Sequence, residues 1–289
     1  MRVRVRHELV HALEPGTRTA IALMRVTPRN HDGQYVQRWS LDVQPDCRLY
    51  PHEDAFGNLT HTFTVEAPGE EIVLTASGEV DTQDTSGIVR GTLERFPPTL
   101  FLRPTPLTAA TPEVAQFARL VLDAATDDLG RLHALMSIVH ADVTEAPRAL
   151  SAAPIGAAEV LKAKAGCAGG MTHLFTACAQ SLGIPCRHVS GYVAEADGNG
   201  HAREWAEAHV PRIGWVAFDC GRSLCATDDY VRVAVGLDSA GVTMLKGLGV
   251  TVKEDVQARE TRGGPRGASN GTSNGASGQT QRQQGQRDQ

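Results

Sequence analysis

The first 80 residues alternate between apolar and polar positions in short runs. These runs occupy residues 2–10, 19–27, 36–43, 59–65 and 71–80. Turn-forming residues such as Gly33 and Gly57 separate them. A period of two predicts half-buried strands, and several short strands at this spacing predict an antiparallel sandwich or barrel. We therefore expect residues 1–100 to form an all-β N-terminal domain with a structural or substrate-framing role.

Beyond a proline-rich connector, the apolar spacing changes to that of a helix. Thr111 followed by Pro112 is typical of a helix start, and helices are predicted from there, over 127–140, over 156–164 and over 171–182. Gly183 is placed to end the last of them. Strand-like runs follow at 187–193, 204–210 and 214–219.

A loop of small residues brings Cys167 to the start of the helix over 171–182. Unpaired backbone N–H groups and the positive end of the helix dipole favour a thiolate there and can hold a developing oxyanion. Cysteine nucleophiles are built in this way. Cys178 and Cys186 better suit the usual fate of a free cysteine, which is to pack as a small buried hydrophobe.

A histidine and a carboxylate follow Cys167 in the order that a thiol–imidazole–carboxylate triad needs. His201 precedes the second strand-like run, and Asp219 ends the third. His173 is not the expected base, because six residues along a helix turn a side chain by about 600° and shift it by about 9 Å.

The chain also resembles a known family. The runs "HLFTACAQSLGIPCRHVSGYV", "EWAEAHVPRIGWVAFD" and "DDYVRVAVG" resemble the core of the bacterial transglutaminase-like family, over about residues 150–247. Upstream, "RVRHELVHALEPGTRTAIALMRVTPR" and "EDAFGNLTHTFTVEAPGEEIVLTASGEV" resemble the β-rich domain that accompanies this core in bacteria. The resemblance implies an α+β fold with a papain-like catalytic core over 110–250. It also implies acyl transfer through a thioester on Cys167, with Asp219 orienting the histidine.

The sequence departs from the family at the histidine itself. Counted back without gaps from Trp205, the family's histidine position holds Arg203, and His201 lies two residues earlier. A displacement by two residues preserves the face of a strand, so His201 is compatible with the role of base. Arg203 cannot take that role, because its guanidinium stays protonated. We therefore predict a triad of Cys167, His201 and Asp219, with Arg203 opposite Cys167 as the alternative.

Composition limits the class of protein. The 289 residues are 41% hydrophobic and carry a net charge of -5, which gives no reason to expect a nucleic-acid partner. The chain has no apolar run of membrane length, and arginine alternates with valine at its start, so we expect a cytoplasmic protein with no membrane partner.

Six cysteines without a CxxC pair predict free thiols, no metal and no cofactor. Residues 254–289 are rich in Gly, Ser, Asn, Gln and Arg and predict a disordered tail.

The sequence thus predicts a cysteine peptidase or amidase whose substrate is a peptide or protein. Hydrolysis is favoured over amine crosslinking, because water is the default acceptor and no lysine-binding device is recognisable. The alternative is a catalytically impaired transglutaminase-like domain that binds peptides or partner proteins in the old cleft. Arg203 is the main support for that alternative. The oligomeric state is not predicted.

Overall fold

The computed structural model describes residues 1–148, 153–195, 198, 200–247 and 250–261. Its N-terminal part contains six strands. They are β1 (Arg2–Ala12), β2 (Thr19–Thr27), β3 (Gln34–Gln44), β4 (Leu49–Glu53), β5 (Leu59–Glu66) and β6 (Glu71–Thr82). In β1, Val3, Val5 and Leu9 are buried while the intervening arginines are exposed, so the alternation read from the sequence separates core from solvent. Strand β4 was not predicted.

The middle of the chain mixes helices with a second sheet. In chain order it contains β7 (Ile88–Val89), a 3-10 turn (Pro98–Leu102), α1 (Pro112–Arg119), α2 (Asp128–Asp142), β8 (Thr144–Glu145), α3 (Ala157–Ala163), β9 (Ala165–Gly166), α4 (Ala168–Ser181), β10 (Cys186–Val193), β11 (His201–Val210), β12 (Gly214–Asp219), β13 (Leu224–Cys225), β14 (Tyr230–Gly236) and α5 (Ser239–Val242). The sheet order is β13-β12-β11-β10-β14, and β7 pairs with β12.

Helix α4 is the centre of this unit. It is buried from Gly169 to Ala179 and packs against β10 and β11. Helices α1, α2 and α3 pack on its remaining faces. The helix ends before Gly183, as predicted, where the Ile184 N–H donates to the Ala179 carbonyl. A helix without solvent-facing sides needs apolar or small residues on nearly every face, and over its buried part α4 has them at every position except His173.

The last strands return to the N-terminal unit and complete a β-sandwich. Strand β15 (Leu245–Lys246) pairs with β2, and β16 (Val250–Glu260) pairs with β1 along its length. The two sheets have the orders β16-β1-β6-β3 and β15-β2-β5-β4.

Strand β16 corrects two predictions. The core was expected to end at residue 250 and a disordered tail to begin at 254, but Leu245 already pairs with the sandwich and β16 continues to Glu260. An edge strand needs mainly backbone hydrogen bonds and a few apolar contacts, here from the buried Ala258 and the half-buried Val256, so a polar composition does not exclude it. Residues 262–289 of the predicted tail lie outside the described residues.

The sandwich and the helical unit share buried contacts. Tyr192 and Val231 of the second sheet belong to the same apolar cluster as Phe63 and Leu74 of the sandwich. The buried Asn58 side chain exchanges two hydrogen bonds of 2.8 Å with the backbone of Val235. The two units therefore share a buried interface. Over the ranges described, no helix is long and apolar enough to cross a membrane.

Candidate active site

Cys167 occupies the N-cap position of α4 and is half-buried. The two residues before it form β9, which pairs in parallel with β8. The Ala146 N–H donates to the Gly166 carbonyl at 2.9 Å and continues this pairing towards the cysteine. The predicted placement of Cys167 at the start of a buried helix is confirmed.

Two adjoining cavities have Cys167 in their walls. One, of about 360 Å³, is lined by Cys167, His201, Arg203 and Glu145 among others. The second, of about 390 Å³, has Cys167 in its wall together with Ile155, His173 and Ser239. Glu204 lines both. The cysteine therefore lies in a continuous cleft that is large enough for side chains of a peptide.

Arg203 lies between two carboxylates. Its Nε and Nη2 donate to Asp219, with 2.7 Å between Nη2 and Oδ1, and its Nη1 and Nη2 donate to Glu145 at 2.8 and 3.0 Å. Burial opposes the charged form, but the hydrogen bonds that the guanidinium donates to these two carboxylates raise the pKa of Arg203. The guanidinium remains a cation, and its charge is balanced locally. We call Arg203, Asp219 and Glu145 the arginine clamp.

Neighbouring groups complete the hydrogen bonding of Asp219. The Tyr230 hydroxyl donates to Oδ2 at 2.8 Å, and the Arg222 N–H donates to Oδ1 at 3.2 Å. Among the described residues no hydrogen bond joins Asp219 to His201. The structure thus brings Asp219 to Arg203, and the carboxylate orients a guanidinium where a triad would need it to orient an imidazole.

Gly221 leaves room for the clamp in the geometry observed. A β carbon at this position would clash with Oε2 of Glu145 and with Nη2 of Arg203. A glycine after Cys220 therefore makes room for the second carboxylate.

His201 begins β11, on the same side of the strand as Arg203, and is half-buried in the wall of the 360 Å³ cavity. Burial lowers the pKa of His201, and so does the nearby positive charge of Arg203. Its imidazole is therefore neutral near pH 7 and able to accept a proton. The structure places His201 in the same cavity as Cys167, without the carboxylate partner that was predicted for it.

A second polar network, which sequence reasoning missed, adjoins the cysteine. Glu204 Oε2 accepts hydrogen bonds from Nε2 of His188 at 2.6 Å and from Oγ of Ser239 at 2.7 Å. Oγ of Ser239 also lies 3.0 Å from Nε2 of His173. As predicted, His173 hydrogen-bonds internally, because its Nδ1 donates to the Ile155 carbonyl at 2.7 Å. No motif spacing could have revealed a network built from four separate elements.

Glu207 has the structural role expected of it. It is fully buried and bonds to Arg187 at 2.7 Å and to Arg232 at 2.7 Å. These charge-assisted bonds join β10, β11 and β14 behind the cleft. Within the ranges described, no group of three His, Cys, Asp or Glu residues is arranged to hold a metal ion. All six cysteines are free thiols.

Comparisons with known proteins agree with this architecture. The bacterial transglutaminase-like N-terminal region matches residues 3–81, and the transglutaminase-like superfamily core matches residues 115–220. An uncharacterized protein of Mycobacterium leprae is 26% identical over 272 residues, covering 86% of this chain and 92% of the relative. One from Mycobacterium tuberculosis is 26% identical over 285 residues, covering 88% and 89%.

Among solved structures, a protein of Cytophaga hutchinsonii described as a "Putative Cysteine Protease" has a TM-score of 0.73. The match covers 92% of this chain and 93% of that one at 18% identity, which shows a shared fold. With both parts matched in order, and Cys167 at the head of the central helix, the chain belongs to the transglutaminase-like superfamily and carries the bacterial N-terminal region of that family.

Proposed function

We propose that this protein is a transglutaminase-like domain that binds a peptide or protein segment in its cleft, against Cys167, and turns over amides poorly. The observation that carries the proposal is the arginine clamp: Arg203 takes both oxygens of Asp219, the carboxylate that a triad would use. The family relation supports cysteine-dependent acyl transfer in general. The arginine clamp bears on a narrower question, which is whether this protein turns over amides efficiently.

Amide cleavage needs a group that takes a proton and later returns it. The thiol must lose its proton before sulfur attacks the carbonyl carbon, and the leaving amine must gain one as the C–N bond breaks. A guanidinium does neither, because it cannot be deprotonated in proteins. Arg203, paired with Asp219 and Glu145 in this position, therefore cannot serve as the proton shuttle.

Hydrolysis with His201 as the acid–base group is the second candidate. It is favoured by the neutral imidazole of His201 in the same cavity as Cys167. His201 would take the thiol proton, the thiolate would attack the amide carbon, and the proton would pass to the leaving amine. Water would then cleave the thioester and release the acid. This route works without Asp219.

Hydrolysis of a peptide-amide panel by the wild type, His201→Ala and Arg203→His decides between the two. The proposal expects low wild-type activity, no effect of His201→Ala, and higher activity for Arg203→His, because an imidazole at 203 would meet the Asp219 carboxylate. Arg203→Gln is the matched control, since it removes the charge without adding an acid–base group. Substantial wild-type activity that both His201→Ala and Cys167→Ala remove would overturn the proposal and establish the second candidate.

A further inference from the structure

The Glu204 carboxylate is placed at the junction of the two cavities beside Cys167. Its side chain is 18% exposed, although it lies behind the first turn of α4. That turn makes room for it: a β carbon at Gly169 would lie 2.5 Å from its Oε2. A carboxylate brought this close to the cysteine, with part of its surface open to the cleft, is available to a bound ligand.

The network around Glu204 fixes both its position and its charge. Nδ1–H of His173 donates to a carbonyl, so its Nε2 is an acceptor, and the Ser239 N–H donates to it at 3.1 Å. The Ser239 hydroxyl proton is then free for Glu204, and His188 supplies the second donor. Burial alone would raise the pKa of Glu204, but the hydrogen bonds from His188 and Ser239 help to lower it to about 2. Every proton in the network is consistent with an ionised carboxylate.

One oxygen of that carboxylate is left for recognition. Among the described residues, both hydrogen bonds to the carboxylate end on Oε2, so Oε1 is the acceptor that a ligand can meet. The 390 Å³ cavity around it has walls of small apolar side chains, including Ala146, Pro147, Pro154 and Ala165. Such walls suit a methylene stem, and the carboxylate at their end suits a cationic head group.

His188 holds one oxygen of this carboxylate through a hydrogen bond, and neither of the two nearby arginines pairs with Glu204 among the described residues. Arg203 is already balanced by Glu145 and Asp219. Arg148 lines both cavities but is itself exposed, and among the described residues it forms no ion pair with Glu204. Since exposed charges are screened by water, Arg148 weakens the attraction of Glu204 for a cation without cancelling it.

We infer that Glu204 is the specificity-determining residue of the cleft and that the 390 Å³ cavity takes an ammonium or guanidinium group on an aliphatic stem. The inference rests on the proposed function, in that the ligand is a peptide segment bound against Cys167. A lysine or arginine side chain and the α-ammonium of a peptide end share this chemistry. In this way Glu204 gives the cleft a charge preference that does not depend on turnover.

Binding of degenerate decapeptide libraries to the full-length protein tests the inference. Three N-acetylated libraries carry lysine, arginine or norleucine at one fixed position, and a fourth is neutral with a free amino end. We expect the wild type to bind a cationic library at least tenfold more tightly than the norleucine library, with the preference falling as salt is raised. The lysine and arginine arms report side-chain recognition, and the fourth library reports capture of a peptide end.

Glu204→Gln keeps the size of the side chain and removes its charge, so it should reduce that preference to within twofold. Asp142→Asn, at a carboxylate outside both cavities, is the matched control and should leave the preference unchanged. Equal wild-type affinity for all four libraries would overturn the role of Glu204 while leaving peptide binding in place. If none of the four libraries binds, both the proposed function and this inference are overturned. The comparison between libraries on the wild type stands even where the Glu204 variant folds poorly.

Discussion

Replacing Arg203 by methionine should lower the stability of the protein, because the change leaves a carboxylate buried without its cation. The side chains of Arg203 and Asp219 are 5% and 2% exposed. Methionine preserves the apolar stem of the arginine, so the loss reports the guanidinium and not the packing around it. Glu145 is 33% exposed on its side chain and can turn to solvent, whereas Asp219 cannot.

The size of the loss follows from what remains around Asp219. Breaking a buried ion pair by removing one partner costs about 3–5 kcal/mol. The Tyr230 hydroxyl and the Arg222 N–H still donate to Asp219, which puts the expected loss near the lower end, at about 3 kcal/mol. For a protein of this size that corresponds to a fall in Tm of roughly 6–12 °C.

Denaturant unfolding of the wild type, Arg203→Met, Asp219→Asn and the double variant measures the effect. Because the two side chains touch, the double variant should lose less than the sum of the single variants, with a coupling free energy of about 2 kcal/mol. Arg2→Met, which breaks an exposed pair with Asp81, is the matched control and should leave the midpoint unchanged. A loss below about 1 kcal/mol for Arg203→Met, the range typical of surface pairs, would refute the argument that the clamp is a buried charge pair.

Three further outcomes are expected. An electrophilic thiol reagent near neutral pH should label Cys167 before Cys178, because Cys178 is buried and burial raises its pKa to about 12; equal rates in the native protein would contradict this. Burial and the neighbouring His188 lower the pKa of His173 from 6.5 to about 4, so between these pH values the unfolded chain binds a proton that the native imidazole does not. Stability should therefore fall as pH drops from 6.5 to 4, by up to about 3 kcal/mol from this group, and denaturant titrations should show a smaller slope for His173→Asn. Truncation after Lys253 should lower Tm because it removes most of β16, whereas truncation after Thr261 should not, and equal melting curves would show that the strand contributes nothing.

Much of the fold follows from the periodicity of apolar residues. The period-two runs become sandwich strands, and the Thr111 cap starts α1 by accepting a hydrogen bond from the Val114 N–H. Strand β16 was missed because an edge strand buries few side chains, so its sequence carries little hydrophobic signal. What stabilises β16 is its pairing with β1, which lies near the other end of the sequence, for example Val3 with Glu260. A sequence pattern read locally does not reveal such a pairing.

In the candidate site too, the features set by local sequence were predicted, and those set by contacts between distant elements were not. The small residues around Cys167 are a local signal, and they placed this cysteine correctly at the start of a buried helix, although the helix begins at Ala168 and not at residue 171 as predicted. Asp219 was placed at the end of its strand, but its partner depends on the lateral neighbour of β12, which a sequence read along the chain does not fix. The network of Glu204, Ser239, His188 and His173 depends on four elements meeting, so neither spacing nor composition indicated it.

The two adjacent residues Arg203 and Glu204 bring side chains of opposite charge to the cleft beside Cys167. Arg203 introduces a cation that is paired with Asp219 and Glu145 and cannot itself move a proton, so His201 is the group on that side that could accept one. Glu204 introduces an anion that the His188 ring and the Ser239 hydroxyl orient and that remains open to the cleft. Proton transfer needs a group poised between two states, whereas recognition needs a fixed charge with a fixed position. Arg203 and Glu204 both supply a fixed charge in a fixed position. Arg203 thereby argues against efficient turnover, and Glu204 argues for selective binding.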